Sequence, residues 1–300
     1  MPFVGVDSWR WQYFEKQPVP EGLVIPIDEA AAWELYPSFR WVHNKLQICE
    51  TQGLPHGPHG TEPRQYPIFS KPIYNMRGMG TGGQVIRTEA EYLAALQPGH
   101  MWMPLFTGRH VSTDVALVDG VPMWWRHTTG KPAERGTFDY WHVHAEPDPG
   151  LEGYLGDWSR RHLKGFTGVV NFETIGGGIL ECHLRMAEQW LDLNGKGWLE
   201  SVVELYAQKR WRFDDADRRD GYSVVLFGDH GVRWTIDRAA VKRCLQQPHI
   251  SSIQITFEET KPPAHHAMPP GGFRLAIINC WNLEAGRAVR EELRREFRKR

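Results

Sequence analysis

The segment GFTGVVNFETIGGGILECHLR, residues 165–185, constrains this chain more than any other stretch. Gly176, Gly177 and Gly178 interrupt two runs of alternating apolar and polar residues, and glycine supplies the positive φ that a tight hairpin loop requires. A three-residue glycine loop places Ile175 opposite Ile179, which sets Glu173 opposite Glu181 and Asn171 opposite His183. Alternation then gathers Asn171, Glu173, Glu181, His183 and Arg185 on one face and Val170, Phe172, Leu180, Cys182 and Leu184 on the other, the core face. A slip of one residue would turn the charges inward, so the register is narrowly fixed.

Two carboxylates directly across a ladder lie about 5 Å apart and repel one another. Either a cation sits between them, or the face is solvated and Arg185 neutralises one. An oxygen-rich set with room for water and phosphate suits magnesium better than zinc, which prefers His and Cys in a closed tetrahedron.

Two further elements carry chemistry. In HVSTDVALVDGVPMWWRHT, Asp119-Gly120 is a two-residue type I′ turn. Pairing Val118 with Val121 puts His110, Ser112 and Asp114 on the face of Met123, Trp125 and His127, where they either line a site or meet solvent. In FSKPIYNMRGMGTGG, a strand delivers Lys71 just ahead of Gly78, Gly80, Gly82 and Gly83. Glycines let backbone N–H groups close on phosphate oxygens, and a lysine adds a point charge. The stretch lacks the GxxxxGK[ST] of a Walker loop, and no acidic fingerprint follows a βα turn as a dinucleotide fold requires.

The rest of the chain reads as α+β. Leu23 to Ile27 is a strand candidate, and a helix capped by Asp28 follows to Leu35. Asn44 to Gln52 is a helix, LPHGPHGTEP a loop, and strands dominate from Tyr66 to Arg185, with helices at Glu89 to Leu96 and Leu151 to Leu163. The balanced charges of KRWRFDDADRRD, residues 209–220, mark a connector. A small βαββα unit follows, with strands at 222–227, 252–258 and 273–279 and helices at 237–246 and 284–299. These features predict a short N-terminal segment (1–43), a central core (44–208) and a C-terminal unit (221–300).

With 35 basic against 36 acidic residues, no global field points to nucleic acid or an anionic membrane, and the basic final helix is either a nucleic-acid tail or, the simpler reading, a solvated face with a favourable C-terminus. The four cysteines form no CxxC pair, which points to a reducing, cytoplasmic compartment. No signal peptide is expected, nor any apolar run of about 18 residues. Fourteen tryptophans first suggest aromatic platforms for a sugar or nucleotide, but most fall where packing is the simpler role, and alternation sends Trp125 to the site face. His142 with His144, and His265 with His266, could hold a metal. Neither pair has a carboxylate or third histidine at the usual helical spacing, so strand and loop histidines are the simpler reading.

In order and spacing, the elements from Asn44 to Arg185 resemble the ATP-grasp superfamily, in which two α+β lobes close on ATP. Asn44-Lys45 looks like the family's entry "(D/N)K", Ser70-Lys71-Pro72 like its second lysine strand, and Gly78 to Gly83 like its glycine-rich lid. MPLFTG, residues 103–108, is similar to the hinge that holds adenine through its backbone, and Gly108 to Asp114 to the "G-x-E-x-S-x-D" strand. Glu181-Cys182-His183-Leu184-Arg185 looks like the family's "E-x-N-x-R". Met103 stands where an acid is common, His110 where a ribose-binding glutamate is usual, His183 in place of a metal-binding asparagine and Asn171 where an acid often sits.

The resemblance implies a two-lobed ATP-grasp core and a ligase using ATP and Mg2+. Such an enzyme activates a small-molecule carboxylate as an acylphosphate for attack by an amine or similar nucleophile. It assigns Lys45, Lys71, Gly78, Gly80, Gly82, Met103, Leu105 and His110 to the nucleotide, and Glu173, Glu181, His183 and Asn171 to the metal. Arg185 would stabilise the transferred phosphoryl or the substrate carboxylate, with Arg77 and Arg126 as further candidates. The alternative is a degenerate module that binds nucleotide without ligase activity.

Overall fold

A computed structural model describes residues 2–76, 80–133, 137–262 and 272–300. The chain divides into two compact units that interleave along the sequence, unlike the consecutive segments 1–43, 44–208 and 221–300. Met1–Gly5, Val24–Trp125 and Asp148–Met186 form the first unit, and Val6–Leu23, Arg126–Pro147 and Ala187–Arg300 the second. Both combine helices with largely antiparallel strands, the α+β class expected.

In the first unit, strand Ile25–Pro26 pairs in parallel with Phe3–Val4. Helix Glu29–Leu35 follows, with the Asp28 carboxylate accepting from Ala31 N–H at 2.7 Å. Helix Lys45–Glu50 is capped in the same way by Asn44, which accepts from Leu46 N–H at 3.0 Å. Four strands form a small sheet in the order Gly57–Pro58, His100–Pro104, Ile68–Pro72, Gln84–Ile86. The sequence reading of 54–63 as wholly loop is corrected at Gly57–Pro58, which pairs with Trp102 and Met101. Pairing partners distant in the chain make so short a strand, and no local periodicity reveals it.

The larger strands of this unit are Gly178–His183, Gly168–Ile175 and His110–Val118, adjacent in that order. His110–Val118 turns at Asp119 (φ 52°) and Gly120 (φ 76°) into strand Val121–Pro132, as the Asp-Gly signal predicts. Helix Pro149–His162 lays Leu151, Leu155 and Trp158 into one core with Val111, Val115, Val170, Phe172 and Cys182. Trp125 packs against this same core, which corrects its assignment to the site face. Lying 3.7 Å from the position a Cβ would take at Gly156, the indole is covered by the 149–162 helix.

The glycine hairpin keeps the predicted pairs Glu173↔Glu181 and Asn171↔His183 but closes differently. Ile175 pairs with Gly178 and Thr174 with Ile179, so the loop has two residues, Gly176 (φ 57°) and Gly177 (φ 87°). The missing residue is taken up as a β-bulge at Leu180, which has no partner of its own. Leu180 leaves the predicted core face and packs with Cys49, Met101 and Met103, while Ile179 takes its place in the core.

In the second unit, Phe138–Val143, Gly221–Gly228, Phe273–Cys280 and Ile250–Ile255 run side by side in that order. Helices Arg238–Leu245 and Leu283–Glu296 bury Cys244, Val289 and Leu293 with Val224, Leu226, Ile253 and Ile278. The last helix ends at Glu296, not Lys299, because Phe297–Lys299 pairs as a strand with Trp234–Ile236. Its basic face is matched within the unit, where Arg287 Nη2 donates to Asp139 Oδ2 at 2.9 Å and Arg290 also binds Asp139. All four cysteines are buried and free. Among the described residues, no helix is long and apolar enough to cross a membrane.

Candidate functional site

The first unit brings most of the sequence-selected residues to one place. Lys45 opens its helix, where the Asn44 cap and a hydrogen bond from its own N–H to the Ile73 carbonyl (3.1 Å) fix the chain direction. Its side chain is buried, and Nζ lies 3.5 Å from Glu181 Oε1. Lys71 projects from strand Ile68–Pro72 and is also buried; its Nζ donates to the Leu180 carbonyl at 2.9 Å. The bulge at Leu180 therefore has a chemical consequence, since it presents to Lys71 a carbonyl of the residue that leaves the regular ladder. Burial pushes the Lys71 ammonium from 10.5 down to about 8; the Glu181 carboxylate works against this, and Lys45 works with it.

Glu181 is the charge to which these cations refer. Burial would raise its pKa, but Lys45, His183 and Lys71 outweigh that effect and hold it below the ordinary carboxylate range. Its other oxygen lies 3.5 Å from His183 Nε2. Across the ladder, Glu173 Oε2 lies 2.6 Å from His110 Nε2. Burial lowers the pKa of His110, and the hydrogen bond and charge of Glu173 reverse this into a net rise. Asn171 is buried and donates through Nδ2 to Ser112 Oγ (2.9 Å) and Asp114 Oδ1 (3.0 Å), tying the hairpin to its neighbouring strand.

Glu29 is the residue that sequence reasoning missed. In the first turn of its helix, it lies buried with Oε1 2.7 Å from His183 Nδ1 and 2.9 Å from Arg185 Nε, and Oε2 3.2 Å from His43 Nδ1. Burial opposes its ionisation, but His183 and Arg185 overcome this and hold the carboxyl well below its ordinary value. Arg185 also donates from Nη1 to the Met186 carbonyl at 3.1 Å. Glu29, His43, Lys45, Asn75, Glu181 and His183 line a small cleft. In sequence, an acid one residue after a capping Asp reads only as a helix-dipole partner, so nothing local marks Glu29 or His43.

Other candidates lie elsewhere. Met103 is fully buried beside Met101 and Cys49, and Leu105 directly follows strand His100–Pro104. Gly80 (φ 63°) and Gly82 (φ 78°) adopt the left-handed backbone that glycine permits. Arg77 and Gly78 lie outside the described residues, as do His265 and His266. Arg126 belongs to the second unit, where its buried guanidinium donates through Nη2 to the carbonyls of Leu193 and Arg219, each at 2.9 Å.

The arrangement gathers cations and carboxylates from the two lysine elements, the glycine hairpin and helix Glu29–Leu35. It can neutralise a polyanion through Lys45 and Lys71 and offers oxygen donors on Glu173 and Glu181.

No family model matches the sequence, and no curated protein matches it. Solved structures do resemble it. The L-amino acid ligase from Bacillus licheniformis superposes with a TM-score of 0.63 at 13% identity, over 97% of this chain and 83% of that one. N5-carboxyaminoimidazole ribonucleotide synthetase from Thermus thermophilus gives 0.60 at 18% identity, over 92% and 82%. The carboxyaminoimidazole ribonucleotide synthase of Aspergillus clavatus, complexed with ATP, gives 0.59 at 13% identity, over 91% and 82%. At these identities the similarity establishes a shared fold.

Proposed function

From the ATP-grasp fold of this chain we propose that it is an ATP- and Mg2+-dependent ligase that activates a small-molecule carboxylate as an acylphosphate for attack by an amine. The observation that carries this reading is the convergence of two buried lysines, Lys45 and Lys71, on Glu181, which stands across the ladder from a second carboxylate. Phosphoryl transfer asks a protein mainly for positioning and charge neutralisation, and this cluster supplies both.

In this reading Lys45 and Lys71 exchange Glu181 and the Leu180 carbonyl for nucleotide phosphates. The backbone N–H groups around Gly80 and Gly82 cover those phosphates, while the hinge at Met103 and Leu105 holds the base. His110, held by Glu173, faces the ribose. Glu173, Glu181 and Asn171 would hold Mg2+, whose donor preference for oxygen fits two carboxylates and an amide. Bound there, the ion would offset charge on the transferred phosphoryl group. Both ring nitrogens of His183 lie beside carboxylates, which supports a role in orienting Glu181 and Glu29 instead of ligating metal. Arg185, oriented by Glu29, presents a planar fork suited to a carboxylate or phosphoryl group.

Incubation with ATP, Mg2+ and a panel of carboxylates and amines is expected to release ADP and phosphate, and Glu181→Ala to abolish release while the circular dichroism stays native. Full turnover in that variant would remove the metal assignment. The occupation of His183 by carboxylates favours one second reading, nucleotide binding without turnover. Calorimetry showing tight ATP binding with no ADP formed from any acceptor pair would select it.

A further inference from the structure

The second unit holds a cluster that the ligase reading does not use. His142 is the penultimate residue of strand Phe138–Val143, His144 follows two positions on along the same face, and Asp220 immediately precedes strand Gly221–Gly228. One donor atom from each of these side chains lies within 4.8 Å of the others. We propose that His142, His144 and Asp220 form a binding site for a first-row divalent ion of the zinc class, with its remaining coordination position open to water.

Two imidazoles and a carboxylate select Zn2+, Co2+ or Ni2+ over Mg2+ or Ca2+, which prefer oxygen donors throughout. A tetrahedral ion with bonds of about 2.1 Å needs its donors roughly 3.4 Å apart. His142 Nε2 and Asp220 Oδ1 already stand 3.2 Å apart, so side-chain rotation alone closes the set. That His142 nitrogen is buried and faces the Asp220 carboxylate, so the two donors already point at one another. Elsewhere the donors are held. The His142 ring stacks on Tyr222 at 4.7 Å and 17°, and the two imidazole centroids are 4.0 Å apart. His144 Nε2 is 2.7 Å from Thr129 Oγ1, and Asp220 Oδ1 accepts from Ala145 N–H at 2.7 Å. Contacts of this kind orient ligands in metal sites. The Asp220 side chain is 49% exposed, which gives an ion access from solvent. Bound there, the ion would pin the end of the irregular 209–220 segment to strand Phe138–Val143.

The helical spacing rules that made these histidines unremarkable in sequence miss such a site, because its third ligand lies 76 positions beyond His144 (220 less 144), just ahead of another strand.

The test uses the full chain, stripped by chelator, with Zn2+ alone followed by calorimetry and Co2+ alone followed by absorption. One equivalent of Zn2+ should bind with micromolar or tighter affinity, and Co2+ should show the ligand-field bands of a four-coordinate, imidazole-bearing site. His144→Ala and Asp220→Asn should each weaken Zn2+ by at least about tenfold, whereas Glu181→Gln should leave it unchanged. Asp220 is half exposed, so Asp220→Asn will fold, and the Co2+ spectrum of the unmodified chain reads imidazole ligation without any variant. Affinity no better than millimolar, or binding lost in Glu181→Gln and retained in Asp220→Asn, would overturn the proposal.

Discussion

Replacing Lys71 by methionine should stabilise the protein at neutral pH and destabilise it in alkali. Lys71 is 4% exposed, and burial depresses its pKa from 10.5 to about 8. A folded-state pKa below the unfolded one means that the unfolded chain binds more protons between those values, so stability rises with pH across that window. Below about pH 8 the native state carries the full penalty of a buried ammonium, which at ~1.4 kcal/mol per pH unit amounts to about 3 kcal/mol. Methionine removes this penalty and suits the neighbouring Cys49 and Met101, but it forfeits the hydrogen bond to the Leu180 carbonyl. That loss costs roughly 1–2 kcal/mol. Lys71→Met should therefore gain about 1–2 kcal/mol at pH 7, and the order should reverse near pH 10, where the wild type has recovered most of the penalty. Urea denaturation of both proteins at the two pH values gives the double difference, which cancels groups common to both. Equal differences at pH 7 and pH 10 would show that Lys71 is not held as a desolvated cation. Calorimetry should show the stabilised variant losing affinity for ATP, because the same charge that burdens the fold is the one assigned to phosphate.

Glu29→Gln should cost about 3–5 kcal/mol, since it removes the buried carboxylate that Arg185, His183 and His43 share. The wild-type carboxyl is held well below 4.5, so its contribution is present above that pH and disappears as pH falls through the depressed native value. The excess of wild type over variant in urea should shrink correspondingly in acid, and a loss under about 1 kcal/mol at pH 7 would show that Glu29 compensates nothing. In the hairpin loop, Gly176→Ala and Gly177→Ala both require a left-handed alanine, but only at Gly176 would the Cβ come within 2.3 Å of the Thr107 carbonyl oxygen. Thermal unfolding should show about 1 kcal/mol lost at Gly177 and at least about 2–3 kcal/mol at Gly176. Equal losses would mean that the close approach to Thr107 is not a constraint.

The part of the hairpin legible in sequence is the part where alternation is unambiguous. Asn171, Glu173, Glu181 and His183 pair as expected because turning them to the apolar face would cost these polar side chains their partners. Before Glu181 the chain offers Ile179 and Leu180, both apolar, and alternation cannot say which belongs in the core. The two-residue loop and the bulge follow from backbone fit around Gly176 and Thr107, which leaves no trace in the pattern. The final helix reads too long in sequence for a related reason. Phe297–Lys299 continues a charged run that suits a helix, and only the distant strand Trp234–Ile236 draws it into a sheet. Helix Trp198–Gln208 is a different case, absent from the sequence reading although Trp198, Val202 and Leu205 recur at helical spacing and are buried.

Glu29 shows where pattern reading must stop and charge accounting begin. His183 and Arg185 lie on or just beyond a half-buried strand face, where Glu181 is shared between Lys45 and His183 and does not serve Arg185. The shortfall on the hairpin calls for an acid from another element, and Glu29 supplies it. Its placement also separates two tasks within one cluster. Glu29 meets His183, Arg185 and His43 through its two oxygens, so it cannot leave without removing the acid paired with Arg185, and it belongs to the scaffold. Glu181 is one-quarter exposed (26%), and its partners are the two lysines and a histidine that Glu29 also holds. A polyphosphate that captured Lys45 and Lys71 would free Glu181 to receive a divalent ion, with little change in the net charge of the cleft. The proposed exchange is therefore confined to the carboxylate that can be released, while the buried acid keeps Arg185 in place throughout.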